Sequence, residues 1–242
     1  MARKPVRPMS DDAIRSIGID EIEDSEKINQ VQLNNTKVFS SREEYAKSFK
    51  KGINYLEVGV AWGYSAKMFL DETNSESADL VDLYNQDLKC WSWRKFGSCQ
   101  CNGFKHELLY TPETHEKYII DKFSSYKNVK TIKGDALSVL PKLNNKYDLI
   151  YIDVSNDRLL TREVLKHCSL LVNDGGVIGL NDYLIYDGII EDAPYGTFQT
   201  VNEFLYNNKE WEVDAIALHN LGFYDIYIRK GSNGPAEKKS QK

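Results

Sequence analysis

The sequence predicts an α/β fold in which a mostly parallel β-sheet has its last strand antiparallel and carries helices on both faces. Short β-like runs alternate with helical stretches between residues 53 and 180, an order typical of a parallel sheet covered on both sides. Only a few residues separate the last two runs, 211–218 and 223–229. A parallel crossover takes a dozen residues or more, so these two strands are expected to form an antiparallel hairpin.

The elements follow in order from Ser40. A first helix is expected to begin at Ser40 or Ser41, each of which precedes a glutamate by three residues in capping-box spacing, and to end at Gly52. Strands are expected at 53–58, 78–84, 129–133, 147–152 and 176–180, and further helices at 65–73, 113–126, 158–172 and 197–208. With the terminal hairpin this makes a seven-stranded sheet of the Rossmann-like kind.

The length of 242 residues predicts one domain with appendages. Residues 1–35 are polar and lack periodicity, so we expect a flexible N-terminal arm before a domain over 36–230. Residues 85–111 form an insertion or flap in that domain, and 231–242 form a disordered tail.

Charge and hydropathy narrow the class of protein. The net charge of -5 repels phosphate backbones on average, which predicts no nucleic-acid partner. No apolar run is long enough for a membrane span, and the first residues lack the apolar stretch of a signal peptide. The four cysteines do not suggest a disulfide framework. Together these features predict a cytoplasmic protein with no membrane partner.

The turn after the first strand is the strongest candidate for a ligand site. Ligands of open parallel sheets bind beyond the carboxyl ends of the strands, and Gly59 and Gly63 allow the backbone to approach one closely. Glu57 would repel a pyrophosphate but can accept a hydrogen bond from an ammonium group, which favours a cofactor that carries an amino acid. The dinucleotide fingerprint is broken at Ala61 and Tyr64. A plain tight turn remains the alternative.

Two further acids follow the next strands. Asp82 stands where the second strand presents an acid to ribose hydroxyls, with Asp79 as a competing candidate and an ordinary loop acid as the alternative. Asp135 can accept from an exocyclic amine such as that of adenine, or can cap a helix that starts at Ala136.

The chain resembles the class I S-adenosylmethionine-dependent methyltransferases over about residues 50–230. The likeness rests on Glu57-x-Gly59-x-x-x-Gly63, Asp82, Gly134-Asp135-Ala136, the strand 147–153 and the segment 170–178. It implies S-adenosylmethionine as cofactor, with Glu57 and Gly59 near its methionine part, Asp82 near the ribose, and Asp135 and Ala136 near the adenine. Gly63, Ser65 and Asp153 complete the cofactor residues that this resemblance suggests.

Within that group the chain is most similar to small-molecule O-methyltransferases that act on sugars and glycans, because Asp153 is followed downstream by Asn181-Asp182-Tyr183. The resemblance implies methyl transfer to a hydroxyl of a small-molecule acceptor, such as a sugar or glycan precursor. Many relatives carry a histidine shortly after the aspartate, whereas here Val154, Ser155 and the next residue, an asparagine, follow.

A hydroxyl acceptor must be activated, and two routes are open. Mg²⁺ bound by Asp153, Asn181 and Asp182 would lower the pKa of the hydroxyl and orient it. Without a metal, Asp153 and His219 are the catalytic candidates, with His219 in the turn after the sixth strand. The alternatives are a helix cap at Asp153, a simple turn at Asn181-Asp182 and a polar hairpin residue at His219.

Other interpretations stay open at this point. Cys90, Cys99, Cys101 and His106 could bind zinc, although aromatic residues between them favour a flap over the substrate. The competing function classes are a non-catalytic cofactor-binding accessory subunit, a methyltransferase that acts on nucleic acid or protein, and a nicotinamide oxidoreductase. The oligomeric state, including a homo-oligomer, is also open.

Overall fold

The computed structural model describes residues 27–85, 111–155, 157–187, 193–219 and 223–231. Eight strands form the main sheet, in the spatial order β1-β9-β10-β6-β5-β2-β3-β4. They are β1 (Lys37–Phe39), β2 (Asn54–Val58), β3 (Ser77–Asp82), β4 (Val129–Lys133), β5 (Tyr147–Ile152), β6 (Val172–Leu180), β9 (Trp211–Leu218) and β10 (Tyr224–Lys230). A separate two-stranded sheet pairs β7 (Tyr186–Asp187) with β8 (Ala193–Pro194).

The helices lie between these strands. They are α1 (Gln30–Leu33), α2 (Arg42–Ala46), α3 (Tyr64–Thr73), α4 (His115–Lys122), α5 (Ala136–Val139), α6 (Arg158–Leu171) and α7 (Thr197–Asn207), with a 3₁₀ turn at Leu140–Lys142. The Ser41 hydroxyl caps α2 by accepting from the backbone N–H of Glu44 at 3.2 Å, as the capping-box spacing predicts.

The sheet confirms the predicted fold class. Strand β10 runs antiparallel to both of its neighbours, β6 and β9, and every other pairing of the main sheet is parallel. The expected hairpin therefore exists. The predicted strand count of seven is too low, because β1 adds an eighth strand beside β9. This strand has only three residues and Val38 at its centre is exposed, so it leaves no alternating hydrophobic pattern in the sequence.

Alternating side chains of the central strands pack on opposite faces of the sheet. Leu56 and Ile150 lie in the core beneath α6 and α7, whereas Tyr55 and Leu149 lie in the core beneath α2, α3 and α4. The two cores follow from the two-residue period of a strand and confirm helices on both faces. This buried frame fixes the carboxyl ends of β2, β3, β4, β5 and β6 at one edge, where the site is built.

The end of the predicted N-terminal arm is ordered. Gln32, in α1, is buried, and its side-chain amide donates to the carbonyl oxygens of Leu205 and Trp211 at 2.8 Å each. The arm before residue 27, the flap over 86–110 with the four zinc candidates, and the tail from residue 232 lie outside the described residues. No helix in the described part of the chain has the length and apolar character to cross a membrane.

Candidate cofactor and acceptor site

The turn between β2 and α3 passes directly against the chain that leaves β5. Gly59 has a φ of +89°, and a Cβ atom placed on it would lie 1.9 Å from the carbonyl oxygen of Asp153. Only glycine fits both the left-handed backbone and this approach. Ala61, two residues on, also has a positive φ of 45°, an uncommon conformation for alanine that tends to occur at functional sites.

Asp82 holds this turn in place. One carboxylate oxygen accepts from the backbone N–H groups of Val60 at 2.7 Å and Ala61 at 3.0 Å. The other accepts from the N–H of Tyr84 at 2.9 Å. The side chain is buried at the end of β3. Asp82 is therefore no ordinary loop acid, because it satisfies three backbone donors that shape the ligand-binding turn.

Helix α4 supports the same turn from the other side. The fully buried ring of His115 places Nε2 3.0 Å from the carbonyl oxygen of Ala61. The Lys122 ammonium donates to the carbonyl oxygen of Trp62. Sequence reasoning gave neither side chain a role, and no local pattern marks them, since both partners lie more than 50 positions away.

A cleft opens at the carboxyl edge beside this turn. It is lined by Val58, Gly59, Ala61, Val81, Asp82, Leu83, Gly134, Asp135, Ala136, Asp153, Val154 and Leu160. We call it the cofactor cleft. Three aspartates line it and, among the described residues, no lysine, arginine or histidine does. This charge fits a cationic sulfonium nucleoside and opposes a pyrophosphate.

The cleft brings together five of the eight predicted cofactor residues. These are Gly59, Asp82, Asp135, Ala136 and Asp153. Asp135 also caps α5, with its carboxylate 3.1 Å from the N–H of Ser138, so the capping interpretation holds while the residue still lines the cleft. Glu57, Gly63 and Ser65 do not line it. Gly63 begins α3, and the Ser65 hydroxyl instead accepts from Arg42 at 3.1 Å.

Glu57 lies beneath the turn within the sheet and is buried. The pKa of Glu57 is raised well above its usual range, chiefly by loss of solvent. The hydroxyl of Tyr55, which donates to the Glu57 carboxylate, offsets only part of this rise. The nearby carboxylates of Asp153 and Asp82 raise it further. These effects together favour the protonated carboxyl more than in an exposed glutamate. The predicted contact of Glu57 with the amino-acid part of the cofactor stays a prediction.

A second, smaller pocket adjoins the first. It is lined by Ile152, Asp153, Val154, Ser155, Thr161, Leu180, Asn181, Asp182, Tyr195 and Thr197. We call it the acceptor pocket. Asp153 and Val154 line both cavities, so a group in either one is next to the same two residues.

Asp153 is the charged side chain common to both cavities. Surrounding protein atoms raise the pKa of Asp153 to about 6, although its carboxylate remains open to solvent through the cleft. Arg42 and a hydrogen bond from the Asn181 side-chain amide, whose nitrogen is 3.1 Å from Oδ1, oppose this rise. A carboxylate with a pKa near neutrality in a cleft is suited to proton transfer.

The donor arrangement does not favour the Mg²⁺ site predicted from Asp153, Asn181 and Asp182. The Asn181 carbonyl oxygen is 2.8 Å from the guanidinium of Arg42, so its amide nitrogen, which cannot bind a cation, faces Asp153. In the described ranges, no three histidine, cysteine, aspartate or glutamate side chains are grouped to hold a metal ion. The predicted metal site stays a prediction, and the proposed reaction does not depend on it.

His219 lies at the predicted edge, directly after β9, and its side chain is exposed. Its backbone N–H donates to the carbonyl oxygen of Phe223 at 2.8 Å across the terminal hairpin. Partial desolvation and the positive charge of Arg42 lower the pKa of His219. It lines neither the cofactor cleft nor the acceptor pocket. Its catalytic role stays a prediction.

The sheet order, the reversed β10 and an acidic cleft at the carboxyl edge of β2 and β3 together define a nucleoside-binding Rossmann-like α/β protein. A family model described as a methyltransferase domain matches residues 56–183, more than half of the chain. The chain belongs to this methyltransferase family, which confirms the resemblance to class I S-adenosylmethionine-dependent methyltransferases. Among curated proteins the comparison finds no match.

Solved structures share the fold at low sequence identity. The O-methyltransferase TomG of Streptomyces achromogenes, in complex with S-adenosylmethionine, has 15% identity and a TM-score of 0.52, covering 92% of this chain and 91% of its own. A structure described as an rRNA methylase of Clostridium thermocellum has 15% identity and a TM-score of 0.53, covering 79% and 94%. The pyocyanin biosynthetic protein PhzM has 13% identity and a TM-score of 0.52, covering 79% and 55%. At these identities the likeness shows the fold and leaves the acceptor unspecified.

Proposed function

We propose that this methyltransferase transfers the methyl group of S-adenosylmethionine to a hydroxyl of a small, polar molecule such as a sugar. The observation that carries the proposal is the pair of adjoining cavities that share Asp153. One has the acidic, phosphate-repelling lining that suits the cofactor. The other lies beside the same carboxylate and is lined by polar residues.

S-Adenosylmethionine bound in the cofactor cleft would supply the methyl group. Gly59 and Ala61 would let the backbone approach this ligand, and Asp82, which lines the cleft, would keep their turn in shape. The Leu83 side chain, 46% exposed, adds an apolar surface at the rim. These residues bind and orient, and they do not exchange protons.

Asp153 is proposed as the general base. With its pKa raised to about 6, the carboxylate is ionised at neutral pH and is more basic than an ordinary aspartate. It can accept the proton of an acceptor hydroxyl as the oxygen attacks. The residue lines both cavities, so this proton transfer takes place where the two ligands meet.

The acceptor pocket supports a neutral, hydroxylated acceptor. Its lining includes the hydroxyl-bearing residues Ser155, Tyr195 and Thr197. These groups can donate to and accept from sugar hydroxyls. The carboxylates of Asp153 and Asp182 oppose phosphate groups, which weighs against nucleic acid as acceptor.

A radiolabelled methyl-transfer assay tests the proposal. The protein is incubated with labelled S-adenosylmethionine and a panel of neutral glycosides, sugar phosphates, amines and RNA, each with and without a chelator. We expect transfer to neutral hydroxyl compounds that survives the chelator and is lost in Asp153→Asn. Asp174→Asn removes an exposed aspartate that belongs to neither cavity and serves as the matched control. Preferred transfer to RNA or to an amine, or full activity of Asp153→Asn, would contradict the proposal.

A further inference from the structure

The side chain of Arg42 reaches from the start of α2 into the carboxyl edge of the sheet. It is only 13% exposed. Its guanidinium makes two hydrogen bonds to Asp225, with Nε 2.5 Å from Oδ2 and Nη2 3.0 Å from Oδ1. A paired geometry of this kind orients the guanidinium plane, because the N–H groups of Nε and Nη2 on one edge must both point at the carboxylate oxygens. The Tyr151 ring lies 5.0 Å below the guanidinium carbon and further limits its motion.

The fixed guanidinium determines which way the Asn181 amide faces. Nη2 of Arg42 is 2.8 Å from Oδ1 of Asn181, and the hydroxyl of Tyr151 is 3.0 Å from the same oxygen. A guanidinium can only donate, so the atom that faces it must be the carbonyl oxygen. The amide nitrogen then lies on the other side, 3.1 Å from Oδ1 of Asp153.

We propose that Arg42 is a positioning residue that acts through Asn181 to orient the Asp153 carboxylate between the cofactor cleft and the acceptor pocket, a role that rests on the function proposed above. With Oδ1 of Asp153 engaged by Asn181, Oδ2 is the oxygen that can accept a proton from the acceptor. Without Arg42 the Asn181 amide is free to turn and present its oxygen to Asp153. Two oxygens facing each other would repel, and the carboxylate would lose its orientation.

The contact with Asp225 fixes the position of the Arg42 side chain. Asp225 is 3% exposed, and the hydroxyls of Tyr151 and Tyr227 lie 3.0 and 3.2 Å from its Oδ2. Loss of solvent is the largest single effect and disfavours the Arg42 cation, but the charge of Asp225, its hydrogen bond and the neighbouring Tyr151 and Tyr227 together more than offset it, so the pKa of Arg42 is raised. Arg42 therefore remains a charged donor at every working pH, and the orientation of Asn181 does not depend on pH.

Two substitutions test this chain of contacts. Arg42→Lys keeps the positive charge but cannot reach Asp225, Asn181 and Ser65 together from one ammonium group. Asn181→Asp keeps an acceptor for Arg42 but removes the donor to Asp153. We expect each to lower kcat on the order of 10²-fold, the usual effect of a displaced catalytic group. The KM for the acceptor and the affinity for S-adenosylhomocysteine, measured by calorimetry, are expected to change little. Arg162→Lys, the same substitution at an arginine of α6 that lines neither cavity, is the control and is expected to retain kcat.

A spectroscopic measurement is independent of the acceptor. In ¹⁵N-asparagine-labelled protein, the side-chain amide signals that disappear in Asn181→Asp belong to Asn181, and we expect Arg42→Lys to shift them. Signals unchanged in Arg42→Lys would overturn the proposal whatever the acceptor is. Shifted signals with wild-type kcat would also overturn it, because Arg42 would then hold Asn181 without effect on the reaction. If the wild-type protein methylates no hydroxyl compound while the signals do shift, the proposed function is wrong, but Arg42 still orients the Asn181 amide.

Discussion

Replacing Gly59 by alanine tests the geometry of the cofactor turn. The new Cβ would lie 1.9 Å from the carbonyl oxygen of Asp153, whereas real Cβ contacts stay at or above 3.0 Å. One of the two chains must therefore move by about 1.1 Å, the difference between these distances. Both are fixed at this point, since the Gly59 N–H donates to Val81 at 2.9 Å and the Asp153 N–H donates to Val58 at 2.8 Å.

The cost has two parts that a matched variant separates. A positive φ costs alanine about 1–2 kcal/mol relative to glycine, and forced overpacking adds about 1–3 kcal/mol. Gly175 has a similar φ of +74°, but a Cβ there meets nothing within 4 Å. Gly175→Ala is therefore expected to lose only the first part of the free energy of unfolding, and Gly59→Ala to lose both, about 2–5 kcal/mol in total.

Urea denaturation followed by circular dichroism measures both variants, and calorimetry with S-adenosylhomocysteine measures binding. We expect Gly59→Ala to be less stable than Gly175→Ala and to bind the nucleoside at least about tenfold more weakly, because a backbone displacement of this size misplaces a ligand contact. Gly175→Ala should bind as the wild type does. Equal stabilities for the two variants, or unchanged binding by Gly59→Ala, would refute the close approach of the two chains.

Three further substitutions or conditions probe the same edge of the sheet. Asp82→Ala leaves three backbone N–H groups without their acceptor, so we expect a loss of about 2 kcal/mol or more in the free energy of unfolding, measured in urea. We also expect weaker binding of S-adenosylhomocysteine, and wild-type binding would show that the turn keeps its conformation without Asp82. Asp225→Ala leaves the Arg42 cation buried without its carboxylate, and calorimetric unfolding is expected to show a loss of about 3–5 kcal/mol in the free energy of unfolding. A loss below about 1 kcal/mol is typical of a solvent-screened ion pair and would contradict burial of the Arg42–Asp225 pair. Because the surrounding protein atoms raise the pKa of Asp153 to about 6, kcat is expected to rise with pH through that value as the base loses its proton, and a rate independent of pH in this region would exclude Asp153 as the base.

Features written in neighbouring residues could be predicted from the sequence. The strands β4, β5 and β9 occupy the expected residues because each is rich in β-branched or aromatic residues and is followed by turn-forming residues. The cofactor turn was predictable for the same reason, since Gly59, Gly63 and Asp82 have fixed positions relative to the strands that carry them. The approach of Gly59 to Asp153 then follows from the pairing of β2 with β5.

Features created by contacts between distant segments could not be predicted. Arg42 meets Asn181 across 139 positions and Asp225 across 183. In the sequence, Arg42 is one basic residue in the first turn of a short helix, and nothing distinguishes it from other surface arginines. For the same reason the contact between the Ser65 hydroxyl and Arg42 could not be predicted, and the cofactor role of Ser65 stays a prediction. The contact of His115, in α4, with the cofactor turn also joins distant positions and could not be predicted.

The sharing of Asp153 between the two cavities also constrains the charge of the acceptor. Asp82 and Asp135 make the cofactor cleft negative, and Asp182 adds negative charge to the acceptor pocket. Arg42, a buried cation near this edge, is already paired with Asp225. A phosphorylated acceptor would therefore enter a pocket whose field opposes it, and none of the described residues that line the pocket carries a compensating positive charge. A neutral sugar meets no such penalty, because its hydroxyls can donate to these carboxylates.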